Sequence, residues 1–338
     1  MLRPRCGLRL RPRAGAVLAV IVMSDGFLTA VADRACDAAP SQAPLSQNAC
    51  EALLDKLDVH SLMQPGGMEK ATMAARMLAD GVRTPGTVAA VASTSGGVKI
   101  LIQTSLLHPD PLLRLDAISV ISRCCASLSS EKFVEEALKA NLPLALVRLC
   151  AEQDRRAKAA GSDAVVDPDL PVRRVAVACL HSLMLKVSAA VTLRVLAAPE
   201  WRAGLVATCL TLLGNTDDSI RVQGAALVAG LLGLKGRRYW RSHDVDVAST
   251  RQSFVQFCSE NPEKAAEMLL CGLGQAGEVE VRLTALDALC IFSQEAERFR
   301  THLRSLDGAE ALLGPGFSAD RGEEETAAAR ELWQLLNR

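Results

Sequence analysis

Aromatic residues are scarce in this chain: seven Phe, three Trp and a single Tyr make up 3% of 338 residues. β-rich folds usually draw on Tyr, Phe and Thr. A core poor in these must be built from Leu, Val and Ala, which suits helices packed closely side by side. Net charge is missing too, with 38 basic and 38 acidic side chains. The five Arg of the first 23 residues (Arg3, Arg5, Arg9, Arg11, Arg13) meet no acid there, so the remainder holds 33 basic against 38 acidic groups. A mildly acidic body of this kind lacks the clustered Lys and Arg that phosphate contacts require, and no nucleic-acid partner is expected. The 11 Cys include no CxxC pair and are odd in number. They predict neither a disulfide framework nor a zinc site, but small buried hydrophobes in a reducing compartment. Cys124, Cys125, Cys179, Cys209, Cys271 and Cys290 all lie in apolar runs.

Catalytic signatures are also sparse. There is no HExxH, GxSxG or Walker A motif, and His60, His108, His181, His243 and His302 share no spacing. No catalytic, cofactor or metal residue is expected, and the chain reads as a non-enzyme.

The N-terminus has three readings. Its Arg-rich start, the apolar run from Ala14 to Met23 and the small residues Ala30-Val31-Ala32 fit a transit peptide or a secretory signal. Met23-Ser24-Asp25 also resembles an ordinary start, with the upstream residues a misassigned extension. Many unpaired Cys weigh against secretion. The expected location is cytoplasmic, or mitochondrial or plastid if residues 1–32 are a transit peptide. The apolar run is too short to cross a bilayer, so no stable membrane span is expected. Residues 1–36 thus form a targeting-like segment or extension, and 37–59 a linker and leading helix.

From residue 60 to 338 the sequence repeats. An aliphatic residue, Arg, two variable residues and then Ala or Gly recur as LRLDA (113–117), VRRVA (172–176), IRVQG (220–224) and VRLTA (281–285). An acidic or Pro-containing turn precedes each. The intervals exceed the repeat length of about 40–47 residues expected of armadillo or HEAT units. Two charged stretches, 151–169 and 233–250, read as the insertions responsible. A second helix precedes each Arg helix: VKILIQTSLL (98–107), ANLPLALVRLC (140–150), WRAGLVATCLTLLG (201–214) and ENPEKAAEMLLCGLG (260–274). Degraded copies fall at 68–81 and at 307–313 with 323–336. The small residues Ala117, Ala176, Gly224 and Ala285 would let neighbouring helix backbones approach.

The order of Gly-rich break, aliphatic helix, short polar turn and long helix with a small residue at its crossing resembles the armadillo family, most closely over 95–121. The resemblance implies an all-α fold, an α-α superhelix of the armadillo type, that binds other proteins. It also implies a concave groove lined by the long helices, at Ser119 and Arg123, Ala178 and Ser182, Ala226 and Gly230, and Asp287 and Ile291. Nuclear-import adaptors of that family place Trp and Asn at these positions. None of the four copies does, so binding of nuclear-localisation signals is not implied.

Two candidate binding surfaces follow. One is the groove, represented by Arg123, Ser182 and Asp287. The other is the insertion 233–250, where Arg237, Arg238 and Arg241 flank Tyr239 and Trp240, the residue types that dominate interface hot spots. The recurrent Arg114, Arg173, Arg221 and Arg282 read instead as structural, bonding acids in neighbouring repeat turns along a ladder. The function expected is a scaffold or adaptor for protein partners. The alternatives are a chaperone cofactor, by architectural similarity to armadillo-type nucleotide-exchange factors, or an assembly subunit of a larger enzyme complex.

Overall fold

The computed structural model describes residues 43–58, 61, 63–127, 131–151, 169–185, 187, 189–234, 246–275, 277–306 and 322–337. Every helix described lies in the unit Pro44–Arg338. Among the described residues there is no strand. The protein is all-α.

The helices come in threes, each opened by a helix no longer than the two that follow and closed by one at least as long as those before it. After α1 (Gln47–Asp55) and the long α2 (Gly67–Gly81), four triplets follow. They are α3 (Pro85–Ser93), α4 (Gly97–Leu107) and α5 (Pro111–Ala126); α6 (Glu131–Lys139), α7 (Leu142–Ala151) and α8 (Leu170–Leu185); α9 (Ala189–Ala197), α10 (Pro199–Leu213) and α11 (Asp218–Leu232); and α12 (Val247–Glu260), α13 (Pro262–Gln275) and α14 (Val279–Glu295). Then come α15 (Glu297–Ser305) and α16 (Glu323–Leu336).

Local sequence sets these boundaries. Asp110 caps α5, its carboxylate accepting from the Leu112 amide at 2.9 Å, and Pro111 occupies the first helical turn, where its missing N–H costs nothing. Asp217 caps α11 through the Ile220 amide at 3.1 Å. The Gly-rich break before α4 is used as a left-handed turn, with Gly96 at φ 73°. The stretch read as the insertion 233–250 is shorter at its far end than the sequence suggested. Asp246 caps α12 through the Ser249 amide at 3.2 Å, so residues 247–250 are already helix. The first helix of each triplet is not separable from its neighbours in the sequence pattern, although the last of them, α12, has 14 residues. Nor was α1 placed in the repeating region, yet it packs on α2, α3 and α4 and buries Cys50, Leu53 and Leu54.

Packing follows the same period. Each long helix lies on the next, α2 on α5, α5 on α8, α8 on α11, α11 on α14 and α14 on α16. The middle helices do likewise through α4, α7, α10 and α13, and each packs under its own long helix. One buried apolar cluster runs through all of them, from Cys50 to Leu336. Ala117, Ala176 and Ala285 are fully buried, as expected of crossing points. At Gly224 the approach is closer still: a Cβ there would stand 2.5 Å from Leu212 Cβ on α10. The few aromatics gather late in the chain. Phe292 stacks on Phe254 at 6.3 Å and meets Phe299 edge-on at 6.0 Å, joining α12, α14 and α15.

Candidate protein-binding surface

Two of the four recurrent arginines tie one long helix to the next. Arg114 on α5 reaches Asp169, just before α8, at 3.0 Å, with both side chains buried. Its Nε donates to the Ser105 carbonyl, also at 3.0 Å. Arg282 on α14 donates to Glu325 in the first turn of α16 at 2.8 Å. The ladder is not uniform. Arg221 stays in its own turn, donating to the Asn215 carbonyl at 2.6 Å and pairing with Asp218. The link from α8 to α11 falls one residue past the motif position, where Arg174 grips both carboxylate oxygens of Asp217 at 2.6 and 3.2 Å. Burial works against the charge on Asp217, but the hydrogen bonds from Arg174 and the Ile220 amide prevail and hold its carboxyl below the usual range. These arginines are engaged within the fold.

The long-helix positions assigned to a groove divide along the array. Arg123 is exposed in the last turn of α5, and its guanidinium donates to the Ala79 carbonyl at the end of α2. Around it lies a mixed-charge cluster of Arg76, Asp80, Arg83 and Asp116, in which Arg83 pairs with Asp80 at 3.4 Å. Although the residue as a whole reaches solvent, partial desolvation of its charged group, and then the like charge of Arg83, make Arg123 less basic than an ordinary Arg. Burial likewise raises the Asp116 carboxyl. Arg123 alone of this cluster is legible in the sequence as a groove position, because Arg76 and Asp80 lie on the degraded first copy, Arg83 in the turn after it and Asp116 at another helical register. Asp287 and Ile291 on α14 are half-buried, as are Ser119 and Ala178.

Ser182 is a correction: it is only 6% exposed, because α8 is packed between α5 and α11 at that level. It offers a partner almost no surface. Ala226 and Gly230 are also buried, and every residue of α11 from Gly224 to Leu232 is inside, as expected of a helix apolar on all faces. A Cβ on Gly230 would meet Leu185 of α8 at 2.7 Å. The exposed part of the long-helix face therefore lies mainly on α2, α5 and α14.

Arg237, Arg238, Tyr239, Trp240 and Arg241 lie outside the described residues, as do His60, His243 and most of the insertion at 151–169. The nine cysteines described form no disulfide, eight of them being buried and Cys271 half-buried. Burial pushes the Cys150 thiol up to about 12 and raises Cys209 and Cys258 as well, so these groups are poor nucleophiles. A GxGxxG spacing does occur at residues 272–277, but it closes α13 instead of opening a helix after a strand, and Gly272 packs against Leu213. Among the described residues no group of three or more His, Cys, Asp or Glu is placed to hold a metal ion. No single helix among them is long and apolar enough to cross a membrane. A cavity of about 210 Å³ opens between the start of α4 and the end of α6, beside the exposed Glu136–Lys139 pair, and Arg123, Ser182 and Asp287 are not among its lining residues.

Comparison with known proteins adds little. No family model matches the chain, and no curated protein matches it. Among solved structures, two crystal structures of engineered proteins are similar. One has 16% identity and a TM-score of 0.47, covering 85% of this chain and 96% of its own. The other has 16% identity and a TM-score of 0.39, covering 86% and 68%.

Proposed function

We propose that the chain is a non-catalytic scaffold or adaptor, built as an armadillo-type α-α superhelix, that binds protein partners along its long-helix face. The observation that carries this reading is the fourfold recurrence of a three-helix unit, with the third helix of each unit laid on the third helix of the next. Stacked units of this kind bury a continuous core and leave an extended surface for partners. The freely accessible charge on that face, at α2 and the end of α5, and the half-buried Asp287 on α14 supply polar anchors at two separate stations. The free, buried cysteines fit an intracellular compartment.

The test is affinity capture followed by mass spectrometry, with chains begun at Met1 and at Met23. A scaffold should bring down a stoichiometric partner. Arg123→Glu with Asp287→Lys should weaken that capture, and Tyr239→Ala with Trp240→Ala should weaken it if the insertion is the contact. Loss of capture in the second variant alone would move the site from the long-helix face to the insertion. No stoichiometric partner for any of the chains would overturn the proposal.

A further inference from the structure

More than half of the large apolar side chains left in solvent fall in one stretch of sequence, although Met68 stands about 140° around the helix from Met73. Seven are exposed among the described residues, and four of them are Met63, Met68, Met73 and Met77, on α2 and the turn before it. Met73 is 68% exposed and Met77 48%. The two lie one turn apart on the outer face of α2, whose opposite face buries Ala71, Ala74, Ala75 and Leu78. Exposed clusters of this type mark interaction surfaces, and the flexible thioether suits a packed contact.

The charges beside these methionines indicate what covers them. Glu69, Lys70 and Arg76 are all exposed. At 100° per residue Glu69 and Arg76 fall on one edge of the Met73 stripe, and Lys70 and Met77 on the other. Glu69 stands four residues before Met73, and Arg76 three after. Lys70 stands three before it, and Met77 four after. The pattern is therefore complementary to its own reversal. When two such helices lie antiparallel about a two-fold axis at Met73, Met73 meets its own copy. On one edge Glu69 meets Arg76 of the second copy, and Arg76 meets Glu69 in return. On the other edge the aliphatic stem of Lys70 covers Met77 of the second copy. Such reciprocal pairing is the requirement of an isologous interface. A general acidic or basic partner would satisfy only half of the charges.

We propose that the outer face of α2 is a homotypic docking surface, on which two copies of this chain associate through antiparallel α2 helices centred on Met73. A contact confined to four helical turns is small, so the association is weak and reversible. It shares Arg76 with the long-helix face but does not rest on the scaffold reading, because it concerns the purified chain alone.

Sedimentation velocity on the full chain over a micromolar concentration series tests this. The parent should show a monomer–dimer equilibrium. Glu69→Arg and Arg76→Glu, each alone, should weaken dimerisation by about tenfold, since each sets like charges opposite one another twice. An equimolar mixture of the two variants should recover dimers, because every Arg then faces a Glu. Met73→Glu should leave monomers. Melting temperatures near that of the parent would show that the variants are folded. A parent that is monomeric throughout, dimers indifferent to both charge reversals, or a mixture that fails to recover would each overturn the proposal.

Discussion

Arg114 and Asp169 are 55 residues apart in sequence and 3.0 Å apart in space, their side chains 6% and 7% exposed. The pair ties the first turn of α5 to the start of α8, across the stretch that sequence marks as an insertion. A buried pair adds little over an apolar replacement, but removing one partner strands the other charge. Arg114→Ala should therefore destabilise the protein by about 3–5 kcal/mol in urea unfolding. Arg114→Met combined with Asp169→Leu should lie closer to the parent than either single change. A loss below about 1 kcal/mol in Arg114→Ala, the size of an exposed pair, would show that the contact does not hold the helices together.

The pairing of Arg174 with Asp217 should make stability sensitive to acid. The carboxyl titrates below its ordinary 3.8 in the fold, so its contribution is complete above that value. As pH falls through the lower, folded value, the native carboxylate takes up its proton and the contribution disappears. Chains with Asp217→Asn should melt lower than the parent at neutral pH and lose less on acidification below about pH 4. Parallel melting curves for both chains across that range would remove Asp217 as a source of acid sensitivity.

The four Arg-containing motifs showed where long helices begin, because each combines a capping turn with a small residue one turn later. They could not give the pairing. Arg114 and Arg282 reach the next long helix, Arg221 stays at home, and the link from α8 to α11 is made by Arg174, one residue past the motif position. Which guanidinium crosses depends on the rotation of each helix against its neighbour, and a five-residue motif does not specify that. Ser182 fails for a related reason: a position taken from the resemblance assumes an open face, and α8 is closed there. The short first helices were hidden by sequences such as EKFVEEALK, whose nine residues are too few for periodicity to separate from a loop. The α2 methionines were legible only as a degraded repeat. Their exposure becomes apparent once Ala71, Ala74, Ala75 and Leu78 are seen to take the inward face.

Thiol chemistry provides a third prediction. Eight of the nine cysteines described are buried, and Cys271 is half-buried beside Gly214, whose carbonyl lies 3.8 Å from its sulfur. Reaction with a thiol reagent needs both access and thiolate, and burial removes both. In a chain carrying Cys6→Ser and Cys36→Ser, one thiol should react quickly under native conditions, and Cys271→Ser should abolish that phase. Denaturant should then expose all the remaining thiols. Several fast thiols in the native protein would mean that the cysteine-rich core between α5, α8 and α10 opens readily.

Gly224 and Gly230 lie on the same helix and should respond oppositely to alanine. Adding a methyl group to a helix interior normally favours the helix by roughly 1 kcal/mol. At Gly224 the new Cβ would stand 2.5 Å from Leu212 Cβ and 3.2 Å from the Leu212 carbonyl carbon. Neither atom can rotate away, because both belong to or adjoin the α10 backbone. The two helices must separate, and the cost of such overpacking is about 1–3 kcal/mol. At Gly230 the obstacle is Leu185 Cδ1 at 2.7 Å, the far end of a half-buried side chain that can adopt another rotamer. Gly224→Ala should thus lower stability in denaturant unfolding, while Gly230→Ala should leave it close to the parent or slightly raised. The contrast separates two reasons for glycine in one helix. Gly224 lets two backbones touch, whereas Gly230 only makes room for a movable side chain. Equal losses at both positions would mean that α8 and α11 are held as rigidly as α10 and α11. Equal gains would mean that the close crossing at Gly224 is not maintained in solution.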